Sequence, residues 1–214
     1  MDKVKDHFDQ IAQSYDTYKS KHRFYYSNLK SLLASLISPH KKVLEIGCGT
    51  GDLLGYLRPK YGFGVDISPQ MISIAKIKHP RLLFSTKFPK DRFDYVFMSD
   101  VIEHLSDPLA IFARASRLIG NKSKFVITMA NPKWEPVLML AEKLHLKMPE
   151  GPHNRINFTQ LQQLLSNSGF QITSHDYFLL CPIFLPVLTK FINSHLEKHF
   201  KAWSFIEYVV AKKS

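Results

Sequence analysis

The chain is poor in cysteine, which occurs only twice in 214 residues, as Cys48 and Cys181. Because it has no C-x-x-C pair, the sequence indicates neither a zinc site nor a redox pair. It also lacks an apolar run of about 18 residues, the length that a membrane-spanning helix needs. Residues 1–6 are charged and no apolar segment follows them, so no signal peptide is expected. These absences favour a globular protein of the cytoplasm.

A concentrated run of one charge is missing as well. The net charge is +11, which taken alone would favour a nucleic-acid or membrane partner. The basic excess is spread out, however, with 6 basic and 4 acidic side chains in residues 1–40, 12 and 8 in 41–120, and 11 and 6 in 121–214. A solvated basic surface is the simpler interpretation, and nucleic acid is not the expected partner.

Glycine is scarce too, yet three of the nine glycines alternate within one short stretch. Residues 43–46 form an apolar run that predicts a buried parallel strand, and Asp52 begins a predicted helix. Between them stand Gly47, Gly49 and Gly51, a residue type that tolerates positive φ and lets a ligand approach the backbone. Strand, glycine turn and helix together predict a nucleotide pocket at the helix N-terminus.

An acid follows at the end of the next predicted strand, residues 61–67. Asp66 lies 19 residues after Gly47, and a carboxylate at this place can accept hydrogen bonds from both hydroxyls of a ribose. The spacing G-x-G-x-G departs from the dinucleotide fingerprint G-x-G-x-x-G, since Asp52 stands where the third glycine should be. An ordinary glycine turn in an unrelated α/β protein is the alternative.

The glycine stretch resembles motif I of class I methyltransferases that use S-adenosylmethionine, in the small-molecule, type 11-like branch. Glu45-x-Gly47-x-Gly49-x-Gly51 matches the motif E-x-G-x-G-x-G, and Asp66 matches the ribose-binding acid of the family. Residues 8–16 resemble the F-D-x-x-A-x-x-Y-D opening, which in the family folds over the cofactor as a lid. A helix that merely covers the sheet is the alternative for that segment.

The resemblance implies S-adenosylmethionine as the cofactor and a set of contacts to it. Glu45 would support the loop beneath the methionine end, Cys48 would contact the ligand through its backbone, and Ile67 or Met71 would pack on the adenine. The acid that usually follows the third strand is absent, so Ser85 or a backbone carbonyl is expected to replace it. The predicted cofactor-binding residues are Tyr15, Glu45, Gly47, Cys48, Gly49, Asp66, Ile67, Met71, Ser85, Ser99 and Asp100.

The order of elements predicts the fold. Strands expected at 43–46, 61–67, 81–86, 93–100 and 124–131 alternate with helices, which is typical of a doubly wound sheet; Gly120-Asn121 is expected to be a C-cap turn. Strands at 170–180 and 203–212 resemble the reversed hairpin of the family. The expected fold is therefore α/β, a doubly wound, seven-stranded, mostly parallel, Rossmann-like sheet with a reversed last strand and an N-terminal helical lid. One domain is expected, with a lid in 1–38, a cofactor-binding core in 39–131 and a substrate-side half in 132–214.

The resemblance also implies transfer of a methyl group to a nucleophile, in which alignment of the reacting atoms is the main task. His104, after the fourth strand, is the first candidate for a general base and His153 the second, with helix capping or structural roles as alternatives. Asp100, Glu103 and His104 resemble the E-x-x-E-H of ubiquinone-pathway O-methyltransferases, where a metal is implied. A capping or salt-bridge role for Glu103 is the simpler interpretation, and no metal is predicted.

A small-molecule acceptor is expected, because the N/D-P-P-Y/F tetrad of amino-methylating enzymes is missing after the fourth strand. The alternatives are a basic RNA-directed methyltransferase and a non-catalytic S-adenosylmethionine-binding module. Residues 178–188 are almost wholly apolar and precede apolar side chains at helical spacing in 188–196. They are predicted to be either a packed cap or a cap that lines an apolar, lipid-like acceptor pocket and contacts an anionic membrane surface.

Overall fold

The computed structural model describes residues 3–148 and 151–214. The strands are β1 Lys42–Ile46, β2 Tyr61–Val65, β3 Leu83–Ser85, β4 Phe93–Ser99, β5 Ile119–Ala130, β6 Phe170–Phe178 and β7 Ile206–Lys213. The helices are α1 Lys3–Lys21, α2 Arg23–Leu36, α3 Asp52–Leu57, α4 Pro69–Lys78, α5 Pro108–Leu118, α6 Glu135–Lys143, α7 Phe158–Asn167 and α8 Leu188–Phe191, which continues as a π-helical turn, Ile192–Leu196.

The seven strands form one sheet in the order β3-β2-β1-β4-β5-β7-β6. The pairs from β3 to β5 are parallel, whereas β7 runs antiparallel to both β5 and β6. The expected fold class is thus confirmed, including the reversed last strand. In such a sheet the strand order reverses between β1 and β4, and ligands bind at the carboxyl ends of the strands beside that point.

The core lies in two layers because successive side chains of a strand face opposite sides of the sheet. Val43 of β1 packs with α2, α3 and α4 on one side, and Leu44 packs with α5 and α7 on the other. Both side chains are buried, as expected for a central parallel strand. The sheet is therefore covered on both faces, which fixes the loops at its carboxyl edge.

Polar caps determine where the flanking helices begin. Ser68 accepts from the backbone N–H of Met71 and is followed by Pro69, so the predicted cap of α4 is confirmed. Asp107 caps α5 in the same way, and Asn157 forms a capping box with Gln160 at the start of α7.

The expected turn at Gly120-Asn121 is wrong. Helix α5 ends at Leu118, and β5 begins at once with Ile119, whose backbone is extended at φ −114° and ψ 154°. Gly120 and Asn121 belong to β5 and lie in a bulge, because Ile119 pairs with Phe93 and the next residue of β5 to pair with β4 is Lys124. Pro149 and Glu150 of the expected loop lie outside the described residues. In the part of the chain that the structure describes, no helix is long and apolar enough to cross a membrane.

Candidate cofactor site

A cavity of about 650 Å³ opens at the carboxyl ends of β1, β2 and β4 and is covered by α1. Its volume lies within the range of small-molecule pockets, about 300–1,000 Å³. The predicted cofactor-binding and catalytic residues that line it are Tyr15, Glu45, Gly47, Cys48, Gly49, Asp66, Ile67, Met71, Ser99, Asp100 and His104.

The glycine loop forms one wall of the cavity. Gly47 has φ +71°, and a Cβ built there would meet Cγ2 of Val101 at 2.3 Å. Gly49 has φ +50°, and a Cβ there would lie 3.2 Å from the ring of Tyr15 on α1. Any larger residue would be strained in this conformation and would also press on Val101 or on Tyr15. The loop therefore brings bare backbone to the cavity beneath the lid helix.

Asp66 orders this loop from the end of β2. Its Oδ2 accepts from the backbone N–H of Gly49 at 2.7 Å, and its Oδ1 accepts from that of Ser68 at 2.9 Å. Burial raises the pKa of Asp66, and the two N–H groups act against that rise. A carboxylate oxygen can accept more than one hydrogen bond, so both oxygens retain lone pairs for a ribose.

Glu45 lies beneath the loop with only 2% of its surface exposed. Its Oε2 accepts from the backbone N–H of Leu54 at 3.1 Å, which ties β1 to the first turn of α3. Burial raises the pKa of Glu45 well above its ordinary value, opposed by the nearby charge of Lys19. The thiol of Cys48 is buried beside it, and burial likewise raises its pKa.

Lys19 on α1 is a site residue that the sequence analysis missed. Its side chain lines the cavity, with Nζ 3.7 Å from a carboxylate oxygen of Asp52. Nζ also lies over the rings of Tyr15 and Tyr26, at 5.2 and 4.8 Å from their centroids. Burial lowers the pKa of Lys19, against the opposing charges of Asp52 and Glu45. The sequence does contain a clue to this role, because Lys19 stands four residues after Tyr15 and therefore lies on the same face of the helix.

Two aspartates of the F-D-x-x-A-x-x-Y-D segment fasten α1 to the core. Asp9 accepts from Oγ of Ser68 at 2.5 Å and from the backbone N–H of Gln70 at 3.3 Å, at the start of α4. Asp16 accepts from Oγ1 of Thr50 at 2.6 Å and from Nζ of Lys78, at the end of α4. The lid helix is thus held at both ends of α4 while Tyr15 covers the glycine loop between them.

This attachment should weaken in acid. Burial raises the pKa of Asp52, but the hydrogen bond from Lys78 and the charge of Lys19 outweigh it, so the pKa lies below the ordinary value. Hydrogen bonds from Lys5, Ser68 and the backbone likewise outweigh burial at Asp9. Groups with lowered folded-state pKa values stabilise the fold above the ordinary aspartate pKa of about 4, and the contribution disappears as the pH falls through their folded-state values.

As the pH falls from about 5 to about 2, the free energy of unfolding should therefore decline more gently in the Asp52→Asn protein than in the wild type. The expected difference is about 0.5–1 kcal/mol, because the carboxylate is partly exposed. Urea titrations across this pH range measure it, and Asp91→Asn, at an exposed position outside the network, is the control. Parallel pH curves for wild type and Asp52→Asn would contradict the assignment.

The tip of β4 forms the opposite wall. Asp100 has φ +53°, and its Oδ2 accepts from the hydroxyl of Tyr25 at 2.7 Å. His104 lines the cavity, and its Nδ1 lies 3.1 Å from the carbonyl oxygen of Pro152. Because a carbonyl only accepts, Nδ1 carries the proton, and Nε2 is the acceptor nitrogen of the neutral ring. The His104 ring also meets the ring of Phe8 on α1 edge to face, at 5.4 Å.

His153 and Ser85 are the two predicted site residues that do not line the cavity among the residues described. His153 lies behind His104, 6.2 Å between ring centroids, with Nε2 3.3 Å from Oε1 of Glu135. Oγ of Ser85 accepts a hydrogen bond from the backbone N–H of Lys87, two residues on, at 3.0 Å. Instead the following residues, Thr86, Lys87 and Phe88, line the cavity.

Asp100, Glu103 and His104, the residues considered for a metal, each have other contacts. Glu103 is buried, and its Oε1 lies 3.3 Å from Nη1 of Arg155, which also binds Glu135. Within residues 3–148 and 151–214 no group of three His, Cys, Asp or Glu side chains is placed to hold a metal ion. Glu103 and Arg155 instead tie the segment after β4 to the segment before α7.

The family is shown by comparison with known proteins. A model described as a methyltransferase domain matches residues 18–175, more than half of the chain, so the chain belongs to the methyltransferase domain family. The resemblance to class I S-adenosylmethionine-dependent methyltransferases is thereby confirmed, together with the cofactor that it implies. The lid and the cavity walls are consistent with that ligand, which carries a nucleoside, a sulfonium and a zwitterionic amino-acid end.

Among curated proteins, the chain is similar to the ubiquinone biosynthesis O-methyltransferase of Rhodopseudomonas palustris strain HaA2. The two are 28% identical over 160 residues, which are 66% of this chain and 63% of that protein. The corresponding enzyme of Pasteurella multocida strain Pm70 is 24% identical over 151 residues, 58% of this chain and 62% of the relative. The chain thus spans less than two thirds of the length of these relatives.

Solved structures share the fold over nearly the whole chain. An S-adenosylmethionine-dependent methyltransferase of Thermotoga maritima, described as a possible histamine N-methyltransferase, has a TM-score of 0.75 at 20% identity and covers 99% of this chain and 100% of its own. Magnesium protoporphyrin IX methyltransferase of Synechocystis, with bound S-adenosylhomocysteine, has a TM-score of 0.62 at 17% identity, with 99% and 98% covered. At these identities the likeness shows the fold alone.

Proposed function

We propose that the protein transfers a methyl group from S-adenosylmethionine to a small, apolar acceptor. The observation that carries the proposal is that the glycine loop, the carboxylate of Asp66 and helix α1 surround one cavity. In this arrangement Asp66 accepts the ribose hydroxyls, and Ile67 and Met71 lie on the adenine side. Lys19 and Tyr15 face the methionine end, with Ser99 and Asp100 closing it from β4.

The acceptor is proposed to enter between α1 and the turn after β4. Apolar side chains line the cavity there, with Val4 and Phe8 on α1 and Leu105 and Ile111 beyond the turn. The polar residues Ser106, Asp107 and Arg114 lie beside them. His104 is the proposed general base, because it lines the cavity and the carbonyl of Pro152 fixes the tautomer in which Nε2 is the acceptor nitrogen. His153 is proposed to position His104 from behind, since it lies outside the cavity lining of the described residues.

The reaction is a displacement at the methyl carbon. A lone pair on the acceptor forms the new bond to carbon while the carbon–sulfur bond breaks, and the sulfonium leaves as the neutral thioether of S-adenosylhomocysteine. The acceptor proton passes to Nε2 of His104. The main contribution of the protein is to align nucleophile, carbon and sulfur. Residues 132–214 are proposed as the acceptor side, and residence in the cytoplasm stays a prediction from the sequence.

The test combines binding with turnover. Calorimetry with S-adenosylhomocysteine should give one site per chain, and labelled S-adenosylmethionine should transfer its methyl group to members of a panel of phenols with alkyl tails of increasing length. The His104→Gln protein should keep its affinity for S-adenosylhomocysteine and lose about 10²–10⁴-fold in kcat, the range of a general base.

Wild-type protein that fails to bind S-adenosylhomocysteine would overturn the proposed function. Binding without transfer to any acceptor would favour the non-catalytic module instead. Full turnover in the His104→Gln protein would remove only the proposed base. Rescue of its rate at raised pH would support the role of His104, because a more ionised acceptor needs no base.

A further inference from the structure

Exposed apolar side chains are concentrated in one part of the sequence. Of the 18 large apolar residues that are exposed in the described part of the chain, 13 lie between positions 137 and 203. We call the exposed apolar side chains of residues 137–146 and 183–203 the apolar surface. Helix α6 buries none of its residues, and Val187 is 84% exposed. A soluble monomer rarely leaves so many apolar side chains together without a use.

The two segments of the apolar surface lie side by side. Nε1 of Trp134, just before α6, donates to the carbonyl of Trp203 at 2.8 Å. The amide of Asn131 donates to the carbonyl of Ala202 at 3.1 Å. At the other end, the ring of Phe184 packs 5.5 Å from that of Phe24, at the start of α2. The start of α6 thus lies beside residues 202 and 203, and Phe184 lies beside the start of α2.

The charge of the same segments indicates what covers them. Residues 133–147 and 183–203 contain six lysines and three glutamates, and five of those lysines are exposed: Lys133, Lys143, Lys190, Lys198 and Lys201. Nζ of Lys133 lies 5.1 Å from the ring centroid of Trp203. Segments that lie in a membrane interface typically combine lysines with exposed aromatic and aliphatic side chains. Two copies joined through these segments would each bring three more lysines than glutamates to the contact and so would repel each other.

Nζ of Lys201 is paired with Asp176, and Nζ of Lys133 donates to the carbonyl of Ala202. We propose that the apolar surface rests on an anionic phospholipid bilayer, with Phe184, Val187 and Phe191 entering the interfacial region and Lys143, Lys190 and Lys198 facing the headgroups. The binding energy would come from burial of the apolar side chains and from attraction between lysine and anionic lipid, which falls with salt. Docking of this kind needs neither cofactor nor turnover, and it goes beyond the proposed methyl transfer.

The surface borders the candidate site. Glu135 begins α6 and lies 3.3 Å from Nε2 of His153, whose ring neighbours that of His104 in the cavity wall. An apolar acceptor dissolved in the bilayer would therefore approach on the side of the cavity where the base is proposed. This consequence, unlike the docking itself, rests on the proposed function.

The experiment is co-sedimentation of the protein with vesicles, without cofactor. Vesicles of phosphatidylcholine with about a third phosphatidylglycerol are compared with pure phosphatidylcholine. Wild-type protein should bind the anionic vesicles, bind the neutral ones about ten-fold or more weakly, and lose affinity steeply between 50 and 500 mM salt, roughly as the Debye length shortens.

Two exposed apolar residues give a matched pair of variants. Val187 is 84% exposed within the apolar surface, and Ile77 is 79% exposed on α4, outside it. Val187→Ser should lower the partition coefficient about five-fold, roughly the effect of returning one partly buried side chain to water. Ile77→Ser should leave it unchanged. Phe184→Ser combined with Phe191→Ser should lower it further, with circular dichroism and cofactor affinity as checks on folding.

Failure of the wild-type protein to bind anionic vesicles would overturn the proposal. Equal decreases of the partition coefficient in Val187→Ser and Ile77→Ser would overturn it as well. Wild-type dimers that dissociate in the Phe184→Ser protein, without vesicle binding, would assign the surface to a second copy and would also overturn it. Retained vesicle binding in a protein without any methyl transfer would support the docking and count only against the proposed function.

Discussion

Replacing Asp66 by alanine is expected to lower the affinity for S-adenosylhomocysteine about 10- to 150-fold. The change removes the acceptors proposed for the ribose hydroxyls, and hydrogen bonds to a charged group contribute about 1.5–3 kcal/mol. It also removes the acceptor for the backbone N–H of Gly49, so the glycine loop loses part of its order. Calorimetry with S-adenosylhomocysteine and with 5′-methylthioadenosine, which lacks the amino-acid end, should show similar losses for both ligands.

The control for this prediction is Asp66→Asn, which keeps one carbonyl oxygen and should lose less affinity than the alanine variant. Thermal unfolding followed by circular dichroism separates a binding defect from a folding defect. Wild-type affinity in the Asp66→Ala protein would remove Asp66 from the cofactor site.

Replacing Lys19 by methionine is expected to weaken binding of S-adenosylhomocysteine but not of 5′-methylthioadenosine. Its ammonium group is the proposed partner of the cofactor carboxylate, so the affinity for S-adenosylhomocysteine should fall by about 1.5–3 kcal/mol, roughly 10- to 150-fold. The affinity for 5′-methylthioadenosine should change less than about two-fold, because that ligand has no carboxylate to lose. The comparison of the two ligands therefore maps Asp66 to the nucleoside end and Lys19 to the methionine end.

Lys21→Met is the matched control, since Lys21 lies on the same helix and is exposed. It should leave both affinities at the wild-type value. Equal losses for both ligands in Lys19→Met would show that Lys19 acts by holding the lid, through Asp52 and the two tyrosine rings, and not through the carboxylate. Methionine preserves the apolar stem of lysine, so the packing against Tyr15 and Tyr26 is largely retained.

The sequence was most informative where function depends on neighbouring residues. The glycine loop, Asp66 and the order of strands follow from local patterns, and the cofactor follows from the motif that these residues share with the family. Ser68 as the cap of α4 was also predictable, because a capping serine needs only the backbone N–H three residues on.

Other features depend on contacts that a linear pattern does not contain. From the sequence alone, Lys19 is expected to be a solvated lysine on an amphipathic helix. Its burial near Asp52 and Glu45 depends on how α1 packs over the cavity, which the sequence pattern does not contain. Gly120 was expected to end a helix because glycine often does so, yet Ile119 already pairs with Phe93 of β4, so the helix ends before Gly120 is reached. Likewise the place of His153 behind His104 is set by Glu135, 18 residues earlier in the chain.

The position of β7 in the sheet has a consequence for how the protein is made. β7 is the last strand in the chain, yet it lies between β5 and β6 and pairs with both along most of its length. During synthesis the edges of β5 and β6 therefore stay open until residues 206–213 have left the ribosome. Open strand edges are templates for association with other chains. A nascent chain in which β5 and β6 have emerged but β7 has not therefore presents two strand edges that only residues 206–213 can cover.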